Sequence, residues 1–230
     1  MSKHLERDLD KLKKNLLRVG NLVEEATNKA ITALMERRGD LAREVIEADD
    51  AIDDAEVGIE EDCLKVLALH QPVALDLRFV ISVMKANNDL ERMGDQAVNI
   101  AERAEFLAGE PPLDVPLDFA RMTDVVRRMV HGSLDAHVNH DTGLAYQVCS
   151  MDDQVDDIHR QMYGVLQAEV REAPDRLERA LQYLSASKDL ERIADLATNI
   201  AEDAVFMVDG EVIRHGRSKY LTRRSPVEGG

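Results

Sequence analysis

The chain states one pattern twice. Residues 89–106 read DLERMGDQAVNIAERAEF and residues 189–206 read DLERIADLATNIAEDAVF; aligned without a gap at an offset of 100, twelve of the eighteen positions are identical. Upstream, Asp49-Asp50-Ala51-Ile52-Asp53-Asp54 answers to Asp152-Asp153-Gln154-Val155-Asp156-Asp157, and Leu41 to Leu144, at an offset of 103. A net loss of three residues between the blocks reconciles the offsets, and Pro72 and Pro174 mark a loop there. Self-similarity on this scale means two copies of one structural unit. Any fold assigned to the chain therefore has to divide into two like halves.

The unit is helical. Val45, Ile52, Ile59 and Val66 recur every seven residues, as do Val148, Val155 and Met162 in the other copy. That spacing makes a seam for packing against neighbouring helices. No segment shows the strict alternation of a half-buried strand. Aromatic residues make up only 3% of the chain and Trp is absent, while Ala, Leu, Glu and Arg, all good helix formers, abound. Breaks fall at Gly39-Asp40, Pro72, Gly109-Glu110-Pro111-Pro112, Asp141-Thr142-Gly143, Pro174-Asp175 and Gly210. They predict six helices at residues 4–37, 41–69, 74–107, 115–139, 143–171 and 175–208. The expected fold is all-α: two tandem three-helix bundles, six long helices in all. The first repeat spans residues 1–110 and the second 111–210. Residues 211–230 carry Arg214, Arg217, Lys219, Arg223 and Arg224 and lose the apolar pattern, so a basic, disordered tail is expected there.

The repeated block carries acids at helical spacing. With Glu91 as the origin of a helical wheel, Asp95 lies about 40° away, Glu102 about 20° and Asn99 about 80°, opposite the apolar side of Met93, Ala97, Ile100 and Ala104. The second copy repeats this with Glu191, Asp195, Asn199 and Glu202. Like charges at i, i+4 repel, and Arg92 and Arg192 point about 100° away, so they shield the strip only in part. A charged stripe is most often a solvated face; the sharper reading is that Glu91, Asp95, Glu191 and Asp195 hold a hard cation, which takes oxygen ligands. Asp49, Asp53, Asp152 and Asp156 form further i, i+4 pairs. They either complete such sites from a neighbouring helix or lie in water, and the balance favours water.

Other chemistries lack their residues. A ferritin-like di-iron centre needs Glu-x-x-His, and the i+3 positions are Gly94 and Ala194. No H-E-x-x-H, phosphate-binding glycine loop or G-x-S-x-G elbow is present. A formal net charge of −16 disfavours nucleic acid and anionic membranes as partners. No apolar run of membrane-spanning length occurs, so no membrane insertion is expected. The N-terminal residues lack the apolar core of a secretion signal, and the only cysteines, Cys63 and Cys149, match no disulfide or zinc pattern. A cytoplasmic protein is expected.

On Leu90-Glu91-Arg92-Met93-Gly94-Asp95 and Leu190-Glu191-Arg192-Ile193-Ala194-Asp195, the chain closely resembles the PhoU family, whose mark is a paired E(D)xxxD motif. Gln71-Pro72-Val73-Ala74-Leu75-Asp76-Leu77-Arg78 matches that family's QP…DLR stretch, Asp49 and Asn199-Ile200 fit it, and Val212-Ile213-Arg214-His215 is similar to its short basic ending. The resemblance spans about residues 5–216, with Ala194 standing where the family has glycine. It implies that the two three-helix bundles are related by a pseudo-twofold, and it implies metal at the ExxxD motifs: iron, manganese or magnesium on Glu91, Asp95, Glu191 and Asp195. It implies a homodimer, and a non-enzymatic adaptor that restrains the Pho response by coupling the transporter ATPase PstB to the sensor kinase PhoR. Two other readings stand beside it: a metal-free helical scaffold, and a carboxylate-bridged metal enzyme. The lack of any nucleophile or base constellation counts against the enzyme.

Overall fold

Every break named above leaves backbone groups that must be capped, and the caps define the rods. A computed structural model describes residues 3–210; the basic tail lies outside them. The elements are α1 (Lys3–Glu36), α2 (Gly39–Glu47), α3 (Asp50–His70), α4 (Ala74–Gly109), α5 (Phe119–Asn139), α6 (Thr142–Glu172) and α7 (Leu177–Asp209), with one 3₁₀ turn at Pro174–Arg176 before α7. Among the described residues there is no strand.

α1 and α5 end alike. Arg37 and His140, at the repeat's offset of 103, both take the left-handed conformation, at φ 57° and 58°. In each case the next amide donates back five residues, Arg38 to Ala33 and Asp141 to Ala136, both at 2.9 Å. This loop satisfies helix-end carbonyls usually closed with a glycine. Asp118 and Asp141 cap the following helices, accepting from the amides of Arg121 and Leu144.

The second of the six expected rods is interrupted. α2 stops at Ala48, whose amide is shared between the Glu44 and Val45 carbonyls, and α3 restarts behind Asp49. The equivalent stretch of α6 runs through unbroken. Its buried face still follows the heptad: Val45, Ile52, Ile59 and Val66 are all buried, as are Val148, Val155 and Met162.

α1, α2–α3 and α4 form one bundle, and α5, α6 and α7 the other; α4 packs on both α1 and α7. α4 and α7 cross antiparallel, since Lys85 Nζ meets Asp203 Oδ1 at 2.8 Å and Arg103 Nε meets Asp189 Oδ2 at 3.1 Å. α1 and α5 do the same, with Gly20 against Leu134 and Glu24 facing His131 at 3.6 Å. Two antiparallel helix pairs between the halves are what a pseudo-twofold requires. The buried side chains of both bundles join into one apolar cluster, so the repeats share a core. No helix among the described residues is long and apolar enough to cross a membrane.

Candidate metal centre

The repeated acids sit where the middle rod of each bundle meets the last. In repeat one the approach of α3 to α4 depends on Gly94. A Cβ there would lie 3.1 and 3.3 Å from Ile52 Cδ1 and Cγ2, and 3.4 Å from Asp49 Oδ1. The absent side chain lets Ile52 seat against α4 and sets the Asp49 carboxylate beside the Glu91–Asp95 turn.

Five carboxylates share this seam: Asp49 at the N-cap of α3, Asp53 and Glu56 within it, and Glu91 and Asp95 from α4. Partial burial and mutual repulsion raise four of them above their ordinary values. For Glu91, desolvation leads, followed by the charges of Asp95, Asp53, Glu56 and Asp49. For Asp49 it is desolvation, then Asp53, Asp95 and Asp50. Asp95 is raised by desolvation and Asp53 while Arg92 pulls the other way, and Glu56 by desolvation, Glu60 and Asp53. Carboxyls raised this way hold a proton more tightly, and full ionisation costs folding energy unless a cation intervenes. The Asn87 amide donates to Glu56 O at 2.9 Å and Glu56 Oε1 at 3.3 Å. Asn87 Oδ1, on a side chain only 1% exposed, has no hydrogen-bond partner among the described residues.

The second seam has the same backbone plan and different chemistry. Asp152 and Asp156 come from α6, Glu191 and Asp195 from α7. Asp152 is buried, Asp156 and Glu191 are half-buried, and Asp195 is exposed. At Glu56's equivalent position stands His159, whose Nδ1 lies 2.9 Å from Ser187 Oγ. Ser187 donates its single proton to Leu184 O, so the His159 Nδ1–H is the donor in that pair. Desolvation depresses the His159 pKa, with Glu191 and Asp156 opposing it. At Asn88's equivalent position stands Lys188, whose ammonium contacts the Glu191 carboxylate. Glu102 is exposed and Glu202 half-buried, two turns beyond the motif acids.

The structure therefore brings Asp49 and Asp53 to the same seam as Glu91 and Asp95; Asp49 lies half-buried against α4 where the sequence reading favoured water. Glu56, His159 and Lys188 were missed. The offset alignment carries the signal for all three, once α3 is known to face α4.

A resident metal needs convergent donors. Among the described residues no three carboxylate, imidazole or thiol groups are gathered closely enough to enclose an ion. The donor chemistry of the first seam still fits a hard cation, being all oxygen and electrostatically unsatisfied. Asp53 and Asp95 are exposed, so packing does not lock their carboxylates in place.

Fold and seam together define a class: a tandemly duplicated all-α protein whose halves share one core and each carry an acid-lined helix seam. The PhoU domain family matches the chain twice, over residues 16–104 and 119–204. A phosphate-specific transport system accessory protein PhoU homolog of Aquifex aeolicus is 41% identical over 94% of this chain and 97% of its own. The crystal structure of PhoU from Pseudomonas aeruginosa superposes with a TM-score of 0.84 at 38% identity, covering 90% of this chain and 99% of that one. That of the phosphate transport system regulatory protein PhoU from Streptococcus pneumoniae gives 0.81 at 31%, covering 90% and 98%. The chain belongs to the PhoU family.

Proposed function

We propose that this chain is a non-enzymatic accessory protein of a phosphate-specific transport system. It restrains the Pho response by coupling the transporter ATPase PstB to the sensor kinase PhoR. The observation that carries this reading is the pair of PhoU domains, one in each repeat, together with relatives named for that transport system. The protein works in the cytoplasm, with nucleic acid excluded by its charge. Exposed apolar side chains on the middle rods and hairpin tips, Val57, Leu64 and Leu69 in one repeat and Tyr163, Leu177 and Leu181 in the other, supply surface for a homodimer or for the transporter.

The metal belongs to the same proposal. Glu91 and Asp95 in the first seam, and Glu191 and Asp195 in the second, are the residues that would hold iron, manganese or magnesium. When bound, the ion neutralises carboxylates that repel one another and stiffens the hairpin of middle and last rods. A metal-free scaffold is the second reading, favoured by the spread of the acids.

The regulatory role is tested by deleting the gene and assaying alkaline phosphatase in phosphate-rich medium. High constitutive activity, reversed by the gene in trans, is the expected outcome. Activity that stays low in the deletion strain removes the protein from Pho signalling.

A further inference from the structure

The duplication copied the backbone of the seam but not its charge. In the first, five carboxylates face one arginine, Arg92, which is shared with Asp89. In the second, the equivalent Arg192 is shared in the same way with Asp189, but four carboxylates now have Lys188 beside them, and the fifth acid has become His159. The hydrogen bonding diverges as well. Ser187 is satisfied by Leu184 and His159, whereas Asn87 leaves a buried oxygen acceptor with no donor. Lys188 is not a loose surface charge: its partner Glu191 has a side chain only 14% exposed, so the pair is partly shielded from water.

We propose that the two repeats are unequal toward cations: Lys188 is a built-in counter-ion that takes the place of a metal in the second seam, and only the first seam takes up a divalent cation. A tethered ammonium occupies its partner at high effective concentration and pays no metal dehydration. An ion entering the second seam must displace Lys188 from Glu191 and lie beside its positive charge. An ion entering the first meets acids, a bare amide oxygen and a neutral Asn88, with Arg92, held by Asp89, as the one cation beside them. This inference rests on the cation reading above and narrows it.

The full-length protein is stripped with chelator, dialysed against manganese chloride, and its bound manganese counted. The wild-type chain is expected to lose its metal with the pair Glu91→Ala and Asp95→Ala and to keep it with Glu191→Ala and Asp195→Ala. Lys188→Asn, which installs the first repeat's residue in the second, is expected to raise bound manganese about two-fold. Asn88→Lys is expected to weaken binding about ten-fold, the effect of one charge a few ångströms away in a half-buried site. Both single changes lie on half-buried or exposed helix surface, and circular dichroism checks that the helices are kept. Equal loss of metal from the two alanine pairs, with no gain in Lys188→Asn, overturns the asymmetry and leaves metal binding standing. No manganese on any variant overturns both.

Discussion

One methyl group moves across the α3–α4 seam and its counterpart. Repeat one pairs Ile52 with Gly94; repeat two pairs Val155 with Ala194, and all four are buried. The methyl lost from the isoleucine returns on the glycine, so the volume between the rods is conserved. The substitution of the family's glycine at Ala194 is thus a repacking. Gly94→Ala gains helix propensity, worth about 1 kcal/mol, but brings a Cβ to 3.1 Å from Ile52 Cδ1, so Ile52 must shift by a few tenths of an ångström or the site is overpacked at a cost of about 1–3 kcal/mol. Ile52→Val alone leaves a cavity costing about 1 kcal/mol. The double variant recreates the second repeat's pair. Urea unfolding should therefore show it to be more stable than the sum of the singles, by roughly 1 kcal/mol. Additive effects would mean that Gly94 is there for another reason, such as access of the Asp49 carboxylate.

Among the elements, α5 holds the least expected feature. His137 is fully buried, with its Nε2 2.9 Å from Ser82 Oγ on α4. Ser82 donates to Phe79 O at 2.9 Å, so His137 carries its proton on Nε2 and donates to Ser82, leaving Nδ1 without a partner among the described residues. Burial, then the neighbouring His140 and Lys13, depress its pKa to about 4. The unfolded chain takes up the proton near pH 6.5 and the folded chain does not, so this group's stabilisation is present above that pH. It is lost as pH falls toward 4, to a total of about 3 kcal/mol. The raised carboxyls of the first seam act in the opposite sense as pH falls, so the effect has to be read as a difference. The stability of wild type relative to His137→Gln should fall by about that amount between pH 7 and pH 4. A constant difference would mean that a proton reaches the buried imidazole.

At this scale the sequence was legible wherever chemistry repeats and illegible wherever neighbours decide. Six rods, their loops and their buried heptad residues follow from periodicity and from Gly109, Pro72 and Pro174. The interruption at Ala48–Asp49 does not, because neither residue is a helix breaker; it lies where the Asp49 carboxylate meets Gly94 of α4. A helical wheel places Glu91 and Asp95 on one side of one helix. It says nothing of which rod covers that side, and so Asp49 was assigned to water and Glu56, His159 and Lys188 were passed over.

Across the whole molecule, the halves are locked by apolar burial and by two charge pairs on the α4–α7 crossing. Asp189, 1% exposed, lies 3.1 Å from Arg103, badly aligned for a hydrogen bond, so the contact is chiefly a charge pair. Desolvation raises the Asp189 pKa despite Arg103 and Arg192, which marks the pair as costly to bury. Asp189→Ala should destabilise by about 3 kcal/mol by stranding Arg103, whereas joint replacement by Leu and Met should be close to neutral. Calorimetry that found the double replacement as damaging as the single would assign the pair a net stabilising role. Through this crossing the rods that carry the two acidic seams pack on one another over a shared core, so a cation stiffening one hairpin acts on that core.

That cation is the central claim, and it is open to direct observation. Crystals grown with excess manganese chloride and measured at the manganese absorption edge should show an anomalous peak between α3 and α4. Glu91 and Asp95 oxygens should close to about 2 Å from it. A map bare at that seam, with Asp49, Glu91 and Asp95 pointing into bulk water, would contradict the account and leave a metal-free helical scaffold.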